Sequence, residues 1–399
     1  MRILAFAYAC APGEGSEPGA GWAWARMLAR MGDTWVITRS NNRDAIENGL
    51  VGLPERDRLH FAYTDLPAWA RFWKRGRVGI HPYYLLWQVA ALRQARRLHA
   101  EVGFDLVWHL TLANVWLGSA APLVGPRCVY GPVGGGVRVP RRLLPALGVR
   151  GAVYEAIRAC ARGAGRHLNP LARVAWRSQL ILVQNPETRD WLPRRYRSKA
   201  EVFPNVALDE TRSPLPSSRS SHQPPTALFA GRLIPWKGGA LAVRVMTHLP
   251  NWRLLVAGSG SDEARLRRLA RRWGVDGQIV FLGHLPRGDL LTLMREETDV
   301  FLFPSLREEA GWVVAEAQIS GLVVVCLGLG GPALLGARQV SATGAGRQVL
   351  RSLAAQVADP GMTPGGSDFG LEARARRLEV LVAESGLLPN TARSPGRRR

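Results

Sequence analysis

Two pairs of charged residues stand out by type and spacing. Arg232 and Lys237 lie five apart in Gly231-Arg-Leu-Ile-Pro-Trp-Lys-Gly-Gly239, a glycine-rich turn. Such a turn lets two cations and backbone N–H groups meet a diphosphate and neutralise it without a metal. Glu308 and Glu316 lie eight apart, the first just after a short apolar run and the second inside a helix expected to begin near Gly311. A carboxylate accepts paired hydrogen bonds from hydroxyls, so two at this spacing suit two polyol groups of one ligand. The N–H groups of Ala310, Gly311 and Trp312, at the expected helix start, suit its phosphate. The blander readings are a surface Arg and Lys on a loop and an ordinary helix-surface glutamate.

A third candidate, His109, closes the run Phe104-Asp-Leu-Val-Trp-His. Ligands of open parallel sheets bind outside the carboxyl ends of the strands, which would turn His109 toward a cleft. A lone histidine at a strand end is otherwise a satisfied structural residue. Glycine loops follow several runs: one with Gly15 and Gly19, one reading Gly131-Pro-Val-Gly-Gly-Gly136, and one with Gly258 and Gly260. No D-x-D occurs, so no carboxylate-held divalent metal is expected on the diphosphate. There is no Walker A loop, and the first glycine loop reads G-x-G-x-x-x-G-x-G, which weakens nucleotide hydrolysis and NAD chemistry alike. The four cysteines are scattered without a C-x-x-C pair, against a zinc site or disulfide framework and in keeping with a reducing cytoplasm. No metal and no cofactor is expected.

The elements that must position these residues are legible as punctuation. Short apolar or β-branched runs lie at 3–7, 34–38, 104–109, 127–130, 179–183, 227–230, 253–257, 278–282, 300–303 and 322–327, and six of them run directly into glycine or proline. Segments with helical spacing, such as 21–30 and 262–273, lie between them, and this alternation predicts parallel α/β sheets with helices on both faces. A polar, proline- and serine-rich stretch at 211–225 reads as a linker. The 399 residues, 47% of them hydrophobic, therefore divide into a domain at 1–208, a linker at 209–226, a second domain at 227–367, a closing helix at 368–386 and a basic tail at 387–399 expected to be disordered. No uninterrupted apolar run is long enough to cross a membrane, and the apolar N-terminus is read as a first strand and not a signal peptide.

The formal charge is +22. Between Arg138 and Lys199 there are 14 basic residues and 3 acidic ones, half of the excess of the whole chain. A second segment, from Trp69 to Arg77, interleaves aromatic and basic groups and is followed by Tyr83, Tyr84 and Trp87. Both suit an anionic membrane surface; the alternative is a solvated face with some of the rings in the core. A nucleic-acid partner is not expected, because neither a reading element nor a stacking platform is found.

In order, the early glycine loop, His109, G-P-V-G-G-G, G-R-L-x-x-x-K-G, G-x-G and P-S-x-x-E-x7-E-A resemble glycosyltransferase family 4 over about residues 1–335. The resemblance implies the GT-B fold, two Rossmann-like doubly wound domains facing across a cleft. It implies a retaining transfer of a sugar from a nucleoside-diphosphate sugar, with no dedicated protein nucleophile and no metal. Arg232 and Lys237 would bind the donor diphosphate, Glu308 the sugar hydroxyls and Glu316 the ribose. Gly258 and Gly260 would line the nucleotide, Gly15 and Gly19 the junction with the acceptor, and His109 the donor sugar. This chain carries Glu309-Ala310 where such enzymes usually have Gly-Phe or Gly-Trp, which makes the loop bulkier and more acidic. The expected protein is a cytoplasmic enzyme, peripheral on the membrane, whose acceptor is a glycan or lipid-linked group in cell-envelope assembly. The alternatives are a soluble acceptor, or an inactive relative that scaffolds a membrane-associated complex.

Overall fold

A computed structural model describes residues 1–67, 80–112, 114–209, 223–361 and 369–388. The segment from Trp69 to Arg77, most of the expected linker and nearly all of the expected tail lie outside these residues.

The first half builds a seven-stranded sheet from β1 (Arg2–Phe6), β2 (Asp33–Thr38), β3 (Leu59–Tyr63), β4 (Leu106–His109), β5 (Arg127–Val133), β6 (Leu180–Val183) and β7 (Ala200–Val202). Every pairing is parallel, in the order β3-β2-β1-β4-β5-β6-β7. Its helices are α1 (Ser16–Met31), α2 (Arg43–Gly49), α3 (Ile80–Val102), α4 (Gly148–His167), α5 (Pro170–Ala175) and α6 (Pro186–Trp191). The period-two alternation of a strand shows in β1: Ile3 and Ala5 join Trp24 and Leu28 of α1 on one face, while Leu4 and Phe6 join Trp87 and Ala91 of α3 on the other. A strand buried on both faces has to be apolar at every position, which is why these runs are continuous. Tyr83, Tyr84 and Trp87 belong to this core, packed edge-on around Tyr8, so the interfacial reading of these three rings does not hold.

The second half repeats the plan with β8 (Thr226–Ala230), β9 (Arg253–Ala257), β10 (Ile279–Gly283), β11 (Val300–Phe303), β12 (Val323–Leu327) and β13 (Arg338–Val340), ordered β10-β9-β8-β11-β12-β13 and again all parallel. Its helices are α7 (Gly239–Val245), α8 (Glu263–Arg272), α9 (Arg287–Glu296), α10 (Trp312–Ile319) and α11 (Gly346–Ala358). A last helix, α12 (Leu371–Glu384), packs on α1 of the first half, burying Leu371, Ala375, Leu378 and Val382 in that core. The returning chain is hydrogen-bonded to the outgoing one: Leu208 N–H donates to the Phe369 carbonyl at 2.8 Å, and Leu371 N–H to that of Leu208 at 3.0 Å.

Because Leu378 is fully buried in the core of the other half, Leu378→Ala is expected to lower the stability of the first half by about 2–5 kcal/mol. Urea unfolding followed by tryptophan fluorescence reads this; an unchanged midpoint would mean that α12 is not integral to that core.

Candidate functional site

The loops that carry the expected donor residues are tied to each other by backbone bonds. After β8 the chain runs through Arg232 and a short 3-10 turn, Pro235–Lys237, to Gly238, whose φ of +82° favours glycine. After β11 it runs through Ser305 to Gly311, the N-cap of α10. The Trp236 carbonyl accepts the Leu306 N–H at 2.9 Å and the Ser305 hydroxyl at 3.3 Å. This registers one loop on the other, and the Lys237 ammonium consequently donates to Glu308 Oε2 in a half-buried ion pair. Arg232 stands exposed at the head of the same loop.

Glu316 is buried inside α10 and receives Arg287 Nε of α9 on Oε1 at 2.7 Å. Sequence reasoning did not single out Arg287, although Arg287 opens the helix after a glycine-bearing strand end. Gly258 and Gly260 are fixed by close approach: a Cβ on Gly258 would fall 1.9 Å from the Gly231 carbonyl oxygen, and one on Gly260 2.3 Å from that of Leu233. These glycines let the loops after β8 and β9 lie against each other. Gly15 precedes α1 with open space where a Cβ would stand. Gly19 lies within α1, where a Cβ would fall 2.0 Å from the Glu14 carbonyl oxygen and 4.0 Å from the Trp312 ring. Trp312 is half-buried and donates its indole N–H to Asn205 Oδ1 at 3.0 Å, and Ala310 is buried beside it. The helix start at Ala310–Trp312 therefore faces the first half of the molecule.

His109 departs from expectation. Its ring is 1% exposed, with Nε2 3.0 Å from the Tyr84 hydroxyl and Nδ1 2.9 Å from the Ser119 hydroxyl. Both nitrogens are engaged by the protein, and Tyr130 packs over the ring at a centroid distance of 5.5 Å. The strand does end there, but the loop after β4 folds back over the side chain, so His109 is a core residue here and presents no nitrogen to a cleft. Burial pushes its pKa down to about 3.

The contact between the halves is made by Glu309, which the sequence marks only as a bulky acidic departure in its loop, and by residues that sequence reasoning passed over. Glu309 reaches across the cleft: Asn185 Nδ2 donates to its carbonyl at 2.9 Å and to Oε2 at 3.0 Å, the Thr188 hydroxyl to Oε2 at 3.3 Å, and Arg158 Nη2 lies 3.6 Å from Oε1. Arg307 Nη1 donates to Glu155 Oε2 at 2.6 Å while its guanidinium lies 4.5 Å from the Trp236 ring, itself stacked on Tyr154 at 4.5 Å. Glu187 Oε1 accepts the Gly330 N–H at 2.9 Å. The loop Gly131–Gly136 passes beneath these contacts. Arg158 and Arg162 of α4 hold its end by donating to the Gly135 and Gly136 carbonyls at 3.0 and 2.9 Å. A Cβ on Gly136 would lie 2.2 Å from Thr188 Cα, so this loop is glycine-rich because α6 presses on it. Loops at the carboxyl ends of both sheets thus meet, the position where open α/β sheets take ligands. Among the described residues no cluster of His, Cys, Asp and Glu is arranged to hold a metal ion.

Two outcomes follow. Unfolding returns the His109 imidazole to its ordinary value of about 6.5, so the unfolded chain takes up a proton that the folded chain refuses. The stability this group preserves is whole above that value and is lost as the pH falls through it toward about 3. Denaturant titrations between about pH 4 and pH 7 should show a shallower pH slope for His109→Gln than for wild type; equal slopes would remove the buried neutral imidazole as the cause. Glu309→Ala is expected to weaken the closed arrangement by about 2 kcal/mol, through lost hydrogen bonds to an ionised acceptor. Small-angle scattering should then show a larger radius of gyration, whereas an unchanged profile would leave closure to Arg307 and Glu187.

Comparison with known proteins places this geometry. Residues 215–338 match the family model described as glycosyl transferases group 1. D-inositol 3-phosphate glycosyltransferase of Mycobacterium tuberculosis (strain ATCC 25618 / H37Rv) is 36% identical over 143 residues, which span 33% of this chain and only 29% of that protein. Anabaena HepE, solved in complex with UDP and glucose, aligns with a TM-score of 0.58 over 97% of each chain at 16% identity. Sucrose-phosphate synthase from Thermosynechococcus elongatus aligns with a TM-score of 0.61 over 96% of this chain and 97% of its own, at 17% identity. The chain therefore has the GT-B architecture of glycosyltransferases, two Rossmann-like domains with parallel sheets, and its second domain carries the match to the group 1 enzymes.

Proposed function

We propose that this chain is a retaining, metal-independent glycosyltransferase that moves a sugar from a nucleoside-diphosphate sugar to an acceptor held by the first domain. The observation that carries the reading is the Lys237–Glu308 pair at the carboxyl ends of β8 and β11, beside the N-terminus of α10. An ammonium, a carboxylate and a helix N-terminus at one point suit the three parts of such a donor near its reacting bond. Lys237 and Arg232 receive the diphosphate and stabilise the charge that grows on it as the glycosyl bond breaks. Glu308 exchanges its partner for the hydroxyls of the sugar, and the first N–H groups of α10 add to the phosphate site. Glu316, held in place by Arg287, takes the ribose hydroxyls, and the close-packed loops at Gly258 and Gly260 border the base. The leaving phosphate takes the acceptor proton in a same-face attack, so no protein nucleophile is assigned. His109 has no role at the reacting carbon.

The acceptor is a glycan or lipid-linked group in cell-envelope assembly, reached from the cytoplasmic face of a membrane. What supports docking is α4, whose Val149, Val153 and Ile157 are 82%, 54% and 64% exposed along one stripe. Arg141, Arg142 and Arg150 are exposed nearby. An apolar stripe flanked by cations suits an anionic bilayer surface. Among the described residues no helix is long and apolar enough to cross one.

Glu308→Gln and Lys237→Ala should each lower turnover by about a hundredfold or more while leaving the circular-dichroism spectrum intact. The assay is release of nucleoside diphosphate from whichever donor raises the melting temperature of the wild-type chain. Activity near wild type in either variant would remove that residue from the reacting centre, and stabilisation by no nucleotide or nucleotide sugar would count against the transferase reading.

A further inference from the structure

A cavity of about 610 Å³ opens on the first domain. Its walls carry Arg138, Arg162, Arg166 and Trp191, and its floor the small side chains of Ala152 and Ala156 on α4. The size falls within the range that holds small organic ligands. Arg162 is 4% exposed, and its Nε is buried with no hydrogen-bond partner, although Nη2 is anchored on the Gly136 carbonyl. Burial together with the charges of Arg158 and Arg138 pulls its pKa down to about 10. Arg166 lies over the Trp191 ring at 5.5 Å and Arg162 at 6.0 Å, so two guanidinium groups share one aromatic ring.

The carboxylates that act on Arg162 are Glu309, which lies 3.6 Å from Arg158, and Glu155. Glu155 also lines the cavity, but its carboxylate is engaged by Arg307 at 2.6 Å and Arg158 at 3.2 Å. Among the described residues no carboxylate forms an ion pair with Arg138, Arg162 or Arg166. Arg162 spends both Nη atoms on the Val137 and Gly136 carbonyls, at 3.5 and 2.9 Å, which leaves Arg138 and Arg166 as the guanidinium groups with forks to offer phosphate oxygens. Arg162 also holds the Gly131–Gly136 loop, which touches Glu309 of the donor domain. A group seated in the cavity therefore lies against the acceptor flank of the cleft.

We propose that this cavity is an anion subsite for a phosphate or diphosphate ester carried by the acceptor, with Arg138 and Arg166 as its ligands, the buried charge of Arg162 behind them and Trp191 as its backing. The proposal deepens the transferase reading and rests on it for the word acceptor; the anion site itself stands on the cavity. The exposed stripe of Val149, Val153 and Ile157 borders the cavity along α4, so the ester can arrive as a lipid headgroup or as a free phosphorylated sugar.

The test uses the full chain carrying Arg232→Ala and Lys237→Ala, so that the donor loop does not compete, and inorganic pyrophosphate as the probe in titration calorimetry. Adding Arg138→Gln and Arg166→Gln should weaken binding at least about tenfold, while adding Arg141→Gln and Arg150→Gln, outside the cavity, should change it less than about twofold. Equal affinity with and without the cavity substitutions, or an equal loss in the control pair, overturns the proposal. Should Arg166→Gln disturb the Trp191 packing, Arg138→Gln alone, on an exposed side chain, is still expected to weaken binding, and no effect there counts against the site. Thermal shift with nucleotides separates the two claims: nucleotide stabilisation without the cavity effect sinks the subsite alone, and the cavity effect without nucleotide stabilisation sinks the transferase reading alone. Sedimentation with phosphatidylcholine vesicles, with and without phosphatidic acid, identifies the source. Loss of binding to phosphatidic acid vesicles in the Arg138→Gln, Arg166→Gln chain supports the lipid headgroup; sedimentation unaffected by those substitutions supports the free ester and overturns the lipid one.

Discussion

The Trp236 carbonyl holds the donor half of the site together. By accepting the Leu306 N–H and the Ser305 hydroxyl, it fixes the loop after β11 on the loop after β8. Two side chains 71 residues apart in sequence, Lys237 and Glu308, then meet as an ion pair. The constraint is one of backbone and not of side-chain attraction: a half-buried ion pair of a flexible lysine contributes little by itself, so the loops must already be in register. The indole of the same tryptophan carries Arg307 on one contact and Tyr154 on another. One residue thus orders the donor loop with its backbone and meets the first domain with its ring.

The first domain answers with arginines. Arg158 and Arg162 leave α4 four residues apart, on one face of the helix, and end on the carbonyls of Gly135, Gly136 and Val137. Their burial is costly for cations and is offset by bonds to oriented carbonyl dipoles and, for Arg158, by Glu155 and Glu309. The glycine loop they hold packs under α6, so its position is set from three sides before any ligand arrives.

Much of this was legible in the sequence. The ten apolar runs correspond to β1, β2, β4, β5, β6, β8, β9, β10, β11 and β12; nine of these are interior strands, where burial on both faces leaves no room for polar positions, and β10 is an apolar edge with Val280 exposed. The strands that were not legible, β3, β7 and β13, are three of the four sheet edges, where Leu59–Tyr63, Ala200–Val202 and Arg338–Val340 alternate or are short. The first helix begins at Ser16, before the apolar spacing starts, since its opening turn packs glycine against backbone and not side chain against core. Lys237 and Glu308, read beside Arg232 and Glu316 and not as partners of each other, were visible because turn glycines and buried strands fix where their loops must go. Glu309, Asn185 and Arg307 were not, since their partners lie on the other domain and no local pattern encodes how two domains meet. His109 was misplaced for a related reason: the carboxyl-end rule locates its Cα, whereas Ser119 and Tyr84 decide where the ring goes.

The chain crosses between the domains near Leu208 and returns at Phe369, and the two crossings are hydrogen-bonded side by side. Beside them, Asn205 receives the Trp24 indole on its main-chain carbonyl and the Trp312 indole on its side chain, one ring from each domain. Two strands of backbone joined edge to edge act as a flat strap. A strap bends readily across its thin direction and resists twisting and in-plane shear. A joint of this kind favours a swing about one axis over a free swivel, which would keep the faces carrying Glu309 and Asn185 in the same alignment if the halves move.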